Sequence, residues 1–301
     1  MPAWTRLIRF VDEDDIERYG EPIVNSGDEV IPLYEAGRLE ATVLSGTTFS
    51  ESGLTPEKGV TKFVKELLSP LTPKDVPIVR CVGLNYMKHI KEGGRTAPPY
   101  PSIFIKGSPS IAQWNETIPI PPVAHTDSTD YEGELCFVVG RTAKDIPRED
   151  ALSYIAGYLV GNDISNRAWQ RDPAYAGSVP QWGFSKGFDK YAPLGPVIVS
   201  PSILKSADDL RLQTFVNGEL RQDTGTDDML FDVTTILSFI SQGTTIEAGT
   251  VVMTGTPSGV GFGFKPEPKY LTHEDEVEVR ITGLGSVRNK IRFEVYGFFF
   301  V

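Results

Sequence analysis

The 301-residue sequence predicts a mainly β protein with short helices, an α+β arrangement. Three observations carry that prediction. From Val76 onward, short runs rich in β-branched and aromatic residues recur between turn residues. The 29 glycines and 23 prolines supply those turns. Several runs, residues 135–139 among them, are apolar on both faces, the pattern of a strand buried between layers rather than one with a wet side.

In chain order, residues 1–74 are expected to form a small N-terminal α+β domain. It would hold strands at 7–11 and 30–33, a helix at 61–68, and a turn or linker in the Ser-Pro-Leu-Thr-Pro-Lys sequence that starts at Ser69. Residues 75–301 form the larger domain. There, 78–82 reads as a strand and 83–86 as a turn into Met87-Lys-His-Ile-Lys-Glu92. If that piece is helical, His89 and Glu92 are neighbours on one face, and a carboxylate that orients an imidazole makes a general base. A surface histidine beside a surface glutamate is the plainer reading. Residues 93–101, GGRTAPPYP, combine glycines that permit movement with prolines that limit it, which suits a hinged lid or a passive surface loop.

A strand is expected at 103–106, and another follows Asp130. A short helix-like segment opens with Asp145 and Pro147, and the apolar run 155–161 then leads to Asp163. Beyond Arg167 and Trp169, Lys186 falls in a Gly-flanked loop, either within reach of an anionic substrate or merely solvated. Residues 193–199 are apolar, 210–217 alternate as a half-buried strand, and Asn217-Gly218 is a hairpin signal. Asp232 is placed to cap a helix at 232–240. A strand at 250–254 runs into Gly255-Thr-Pro-Ser-Gly-Val-Gly-Phe-Gly263, whose glycines suggest a backbone that comes close to a ligand. The loop lacks both the Lys-Ser/Thr of a phosphate loop and G-x-G-x-x-G spacing, so a nucleotide site is not expected. Strands at 276–281 and 290–296 complete the order, and the terminal Gly-Phe-Phe-Phe-Val is expected to be a last strand or a packed tail.

The chemistry concentrates between Thr129 and Arg167. Glu132 and Glu134 are two apart, so in a strand both carboxylates leave the same face. A strand, a short crossover and a second strand would bring Asp163 beside them. Three crowded, partly buried carboxylates repel one another and are costly to desolvate, so they require a cation or raised pKa values. An all-oxygen trio favours Mg²⁺ or Mn²⁺ before Zn²⁺. Solvated acids at strand ends are the alternative.

With 29 Lys and Arg against 40 Asp and Glu, the net charge is −11 and no basic stripe interrupts it, so neither nucleic acid nor an anionic membrane is an expected partner. Cys81 and Cys136 sit in apolar runs, as small buried thiols do, and nothing resembles a secreted disulfide framework. No run of about 18 apolar residues occurs, and the N-terminus carries neither an apolar signal core nor an acid-poor transit segment. The expectation is a soluble, cytoplasmic protein, with a mitochondrial location also open.

Six elements occur together and in one order: VGLNYMKHIKE (82–92), DYEGEL (130–135), GNDIS with Arg167 (161–167), SKGFD (185–189), PLGPVI (193–198) and TGTPSGVG (254–261). In this the chain resembles the fumarylacetoacetate hydrolase family from about residue 76 onward. The resemblance implies that family's rolled β-sheet fold with a small N-terminal domain, usually dimeric, and Mg²⁺ or Mn²⁺ on the matched Glu132, Glu134 and Asp163. It implies a water-activating dyad of His89 and Glu92, on a segment that becomes ordered over the substrate, and substrate contact from Lys186. Tyr86, Arg167 and Thr256 are the further substrate-binding positions it suggests. Two positions depart from the family pattern: Ala168 where an acid is common, and Ala248-Gly249-Thr250 for the usual Pro-Gly-Asp.

The expected function is metal-assisted cleavage of a 2-oxo acid or 1,3-dicarbonyl acid, by hydrolysis or decarboxylation, of the acylpyruvate hydrolase or oxaloacetate decarboxylase type. The ion would act as a Lewis acid, with His89 taking a proton from water and Lys186 stabilising anionic oxygen. Keto–enol tautomerisation of oxaloacetate, or isomerisation of a dienedioate, is the alternative on the same site. A metal-binding scaffold without turnover is the alternative from another class.

Overall fold

The structure is a computed structural model that describes residues 2–46 and 53–295. It is mostly β, with short helices between strands. An 11-stranded sheet runs in the order Glu17–Pro22, Glu40–Gly46, Leu54–Leu68, Arg6–Asp12, Ala192–Val199, Ile155–Asn162, Gly133–Val139, Val251–Met253, Val79–Gly83 and Ser102–Lys106, with Ile111–Ala112 added beside Ala192–Val199. A five-stranded sheet of Glu219–Gly225, Arg211–Val216, Glu276–Ile281, Gly285–Phe293 and Ile118–Ile120 packs against it. The N-terminal strands join the large sheet where Arg6 and Leu7 pair with Val199 and Ile198.

Every residue of Gly133–Val139, Ile155–Asn162 and Ala192–Val199 is buried, as the two-sided apolar runs require. Their side chains feed two apolar clusters, one on each side of the large sheet, centred on residues such as Leu135 and Phe137 and on Cys136 and Leu159. Fully burying each such Leu or Phe side chain contributes about 1.5–3 kcal/mol. Glycines keep the adjacent layers close: a Cβ on Gly161 would stand 2.6 Å from the Cys136 sulfur. Cys81 and Cys136 are both free and buried.

Three local expectations are overturned. Residues 30–33 belong to a helix, Val30–Glu35, not a strand. A 3-10 turn at Gly27–Glu29, capped by the Ser26 side chain on the Asp28 N–H, leads straight into it, and Pro32 sits in the first turn where no N–H is needed. A four-residue apolar run does not by itself distinguish helix from strand. Residues 61–68 are not a helix but the end of the 15-residue strand Leu54–Leu68. Val64 and Leu67 are both buried although three apart, because the pairing with Arg6–Asp12 shifts register between Val11 and Asp12, and such a bulge lets residues three apart in a strand face one side. Lys186 is not in a loop: it closes the short helix Trp182–Lys186, with Gly187 as its cap.

Other elements lie where the periodicity put them. Met87–Glu92 is helical, Asn217 and Gly218 take the positive φ values of 50° and 79° that a two-residue hairpin turn needs, and Glu276–Ile281 is a strand over its full expected length. The C-terminal Gly-Phe-Phe-Phe-Val lies outside the described residues.

The helix Val233–Ser241 begins on Asp232, whose carboxylate accepts from the Thr235 N–H and the Thr234 hydroxyl, both at 2.7 Å, and pairs with Arg148 at 2.6 Å. Burial pushes this carboxyl up, but the bonds from Thr235, Thr234 and Arg148 outweigh it and hold it at about 2. A depressed carboxylate stabilises the fold above its unfolded pKa of about 3.9, and that contribution disappears as the pH falls through about 2. Asp232→Ala is expected to lose about 1 kcal/mol at neutral pH in urea unfolding. The gap between the two proteins should narrow below about pH 4.

Candidate active site

Sheet register builds the acidic centre. Gly133 pairs with Asn162, so Glu132, one residue before the first strand, lies across from Asp163, one residue after the second. The Asp163 N–H donates to the Glu132 carbonyl at 2.8 Å and closes the ends together. Glu134 is the second residue of its strand, opposite Gly161. Carboxylate oxygens of Glu132, Glu134 and Asp163 lie within 4.8 Å of one another. All three are buried, at 6%, 1% and 0% exposure, so solvation at strand ends does not describe them.

The cations around them are unevenly shared. Lys186 Nζ reaches Glu132 Oε2 at 2.7 Å, Asp163 Oδ2 at 2.6 Å and the Ser165 hydroxyl at 2.6 Å. Lys106, which the sequence reading passed over, holds the other Asp163 oxygen at 2.5 Å and donates to the Tyr191 carbonyl at 2.6 Å. It lies on an edge strand, where a lysine usually signals solvent, and only the fold shows it turned inward. Arg167 bridges Glu132 at 2.6 Å and Asp130 at 2.8 Å. Burial pushes Glu132 up, but Lys186 and then Arg167 outweigh it and hold it far below the carboxylate range. Burial would lower Lys186, yet Asp163 and Glu132 more than compensate and raise it.

Glu134 has none of this. Among the described residues its carboxylate is held by the Gly255 N–H, at 2.6 Å. Burial first, then the Asp163 and Glu132 charges, push it well above the usual range. Four acids, Asp130, Glu132, Glu134 and Asp163, thus meet three cations, Lys106, Lys186 and Arg167. The unbalanced charge falls on the trio, and an all-oxygen donor set short of positive charge fits a hard divalent ion.

His89 and Glu92 share one face of Met87–Glu92, with His89 Nδ1 and Glu92 Oε2 at 2.9 Å. The other Glu92 oxygen accepts from the Gly259 N–H at 3.0 Å. One cavity is lined by His89, Glu92, Glu132, Arg167, Lys186 and Thr256, together with Phe104, Trp182 and Phe262. Six of the nine predicted site residues therefore meet in it. Glu134 and Asp163 lie behind its wall, at the trio. Tyr86 does not line it: its side chain is fully buried, and burial followed by the Glu134 charge raises its phenol strongly. Thr256 is buried and its hydroxyl donates to the Gly133 carbonyl at 3.0 Å while accepting from Gln222 at 2.8 Å.

The glycine loop after Val251–Met253 was expected to bring its backbone close to a ligand. What its amides meet is the site's own acids: Gly255 on Glu134, Gly259 on Glu92, and Gly261 and Phe262 on Asp130 at 2.7 and 3.0 Å. The reason for glycine is visible at Gly259, which has a φ of 97° and where a Cβ would stand 2.0 Å from the Arg221 carbonyl oxygen. This supporting role had a sequence signal, the glycine density, but not its target.

A mostly β scaffold sets a buried acid trio, of which Glu132 lines the cavity, beside a His–Glu pair on the same cavity wall, an arrangement suited to acid–base chemistry and to a hard divalent ion. The chain belongs to the fumarylacetoacetate hydrolase family: the model of the fumarylacetoacetate hydrolase C-terminal domain matches residues 78–292. Caffeoylpyruvate hydrolase of Neonothopanus nambi is 36% identical over 299 residues, which cover 97% of this chain and 94% of that protein. An oxaloacetate tautomerase of Bacillus subtilis is 36% identical over 73% of this chain and 71% of its own length. The solved structure of a 2-hydroxyhepta-2,4-diene-1,7-dioate isomerase from Mycobacterium marinum superposes with a TM-score of 0.75 at 29% identity, covering 97% of this chain and all of that one. These relatives are enzymes: a hydrolase, a tautomerase and an isomerase. One relative in Homo sapiens is a mitochondrial oxaloacetate tautomerase, 33% identical over 89% of this chain and 82% of that protein. No helix among the described residues is long and apolar enough to cross a membrane.

Gly263 gives the dyad a direct test. A Cβ there would stand 2.5 Å from the Glu92 carboxyl carbon. The end of a glutamate moves cheaply, so Gly263→Ala should change stability by less than about 1 kcal/mol. If the dyad takes part in the chemistry, the displaced carboxylate should nonetheless lower kcat by about 10²-fold. Thermal melting and steady-state kinetics on the same preparation check both halves.

Proposed function

We propose that this protein is a divalent-metal-dependent enzyme that cleaves a carbon–carbon bond in a 2-oxo acid or 1,3-dicarbonyl acid, by hydrolysis of the acylpyruvate type. The observation that carries the proposal is the contact between His89 and Glu92 in the same cavity as Glu132, Lys186 and Arg167. Mg²⁺ or Mn²⁺ held by Glu132, Glu134 and Asp163 would supply Lewis-acid polarisation of the substrate's oxygens.

The chain's own residues account for the rest of the chemistry. Glu92, fixed by the Gly259 amide, orients the His89 ring through Nδ1 and leaves Nε2 to take a proton from water. The water oxygen adds to the carbonyl remote from the carboxylate end, and the bond between that carbonyl carbon and its neighbour breaks. The electron pair stays on the neighbouring carbon, conjugated with the 2-oxo group, and that carbon takes the proton that His89 Nε2 had removed from the water, which returns the imidazole to its starting state. Lys186, kept charged by the acids around it, places its positive charge beside anionic oxygen as charge develops. Phe104, Trp182 and Phe262 line the cavity and keep bulk water from the developing anion. The full-length similarity to caffeoylpyruvate hydrolase supports this reading.

A second reading has specific support in the oxaloacetate tautomerases among the relatives. The same dyad moves a proton between carbon and oxygen with no bond cleaved. Loss of the ultraviolet absorbance of enol oxaloacetate without release of pyruvate would select tautomerisation over cleavage.

Glu134→Gln is expected to abolish Mn²⁺ binding in calorimetry and, with it, turnover. His89→Gln and Glu92→Gln should instead lower kcat by about 10²–10⁴-fold with Mn²⁺ affinity unchanged. Full turnover by Glu134→Gln, or by the wild type after chelation, would overturn the metal-dependent reading.

A further inference from the structure

We infer that Arg95, Arg171 and Lys265 form an anion subsite at the mouth of the cavity, which selects substrates whose end remote from the acid trio carries a second carboxylate. The inference rests on the reading of the cavity as a 2-oxo acid site and adds a specificity determinant to it.

All three residues line the cavity, and among the described residues none of their side chains has a hydrogen bond or ion pair to an acid. The two acids on the cavity wall are already engaged, Glu132 by Lys186 and Arg167, and Glu92 by His89 and the Gly259 amide. Positive charge therefore accumulates at this end of the pocket, in a protein whose net charge is −11. At Arg171 the crowding of like charge is felt: its guanidinium is lowered by burial and then by the charges of Arg95 and Arg167. An anion placed among them relieves that repulsion.

Geometry sets the distal group apart from the inner one. Arg167, bound to Glu132, and Arg171 both lie against the Phe262 ring, with guanidinium carbons 6.0 and 4.3 Å from its centroid. Phe262 is itself held by its N–H on Asp130; of the two arginines beside its ring, the buried Arg167 reaches Glu132 of the trio and Arg171 is the exposed one. A short chain lying along Phe262 would present its first carboxylate to the inner cations and its second to Arg171. Arg95 lies three residues after Glu92, just beyond Gly93 and Gly94, and its N–H is held by the Ile90 carbonyl at 3.0 Å. A planar guanidinium pair suits bidentate capture of a carboxylate.

The test uses two probes that lack the bond to be cleaved: 2-oxoglutarate, and its methyl ester at the distal carboxylate. Calorimetry with the Mg²⁺-loaded protein should show the diacid binding at least about 10-fold tighter than the ester. In the Arg95→Gln, Arg171→Gln double variant this preference should vanish while ester affinity shifts less than about twofold, and Arg171→Lys, which keeps the charge but loses the planar fork, should retain only part of it. The preference should also shrink as salt rises. Equal binding of both probes by the wild type, or variants that weaken both alike, would overturn the subsite. If the diacid preference holds but no 2-oxo acid is turned over, the proposed reaction fails and the subsite stands. Turnover that is indifferent to distal charge removes the subsite and leaves the reaction.

Discussion

The site is organised by one electrostatic imbalance: Glu134 is a carboxylate with 1% exposure, two further acids within contact, and an amide N–H in place of a cation. A buried charge of that kind is costly unless it is protonated or balanced. Among the described residues, the neighbouring cations Lys106, Lys186 and Arg167 are already committed. Lys106 and Lys186 divide Asp163 between them, and Arg167 is shared by Glu132 and Asp130. The surrounding fold holds this arrangement because it leaves no freedom to relax it. Glu132 and Asp163 are tied by a backbone hydrogen bond at the ends of two strands that are buried along their whole length.

The glycine-rich loop after Val251–Met253 is the second dependency. Its amides serve three acids with different duties: Glu134 in the trio, Glu92 in the dyad and Asp130 behind Arg167. A single loop thereby sets the distance between the metal-competent centre and the candidate base. Backbone N–H donors are suited to this, since they hold an acid without contributing a charge that would compete with a cation. The loop enters opposite the acids because Met253 pairs with Cys136, two residues beyond Glu134 on the same strand.

Legibility followed the range of the interactions. Local periodicity identified the buried strands, the helix that carries His89 and Glu92, and the Asp232 cap, since each depends on residues a few positions apart. It failed at Val30–Glu35 and Leu54–Leu68, where a preceding capped turn and a register shift decided the outcome. Of the site, the acid trio and the dyad were readable as spacings, and the order of six motifs joined them. Lys106 was not, because its inward orientation depends on what covers the Ser102–Lys106 strand. Tyr86, a substrate position by its motif, has a fully buried side chain and is not among the cavity's lining residues.

The sequence by itself determined the residue chemistry: which acids, which imidazole and which glycines are present, and at what spacing along strands and a helix. Spacing of that sort is converted to geometry by φ and ψ alone, so it is readable without a fold. The tertiary structure decided which charges remain unbalanced and which side of the cavity each one faces. Glu132 and Asp163 are 31 positions apart and become neighbours through the Gly133–Asn162 register, while Gly255, Gly259 and Gly261 approach their acids only through the pairing of Val251–Met253. Charge balance is a sum over such long-range approaches, and for that reason it belongs to the folded chain.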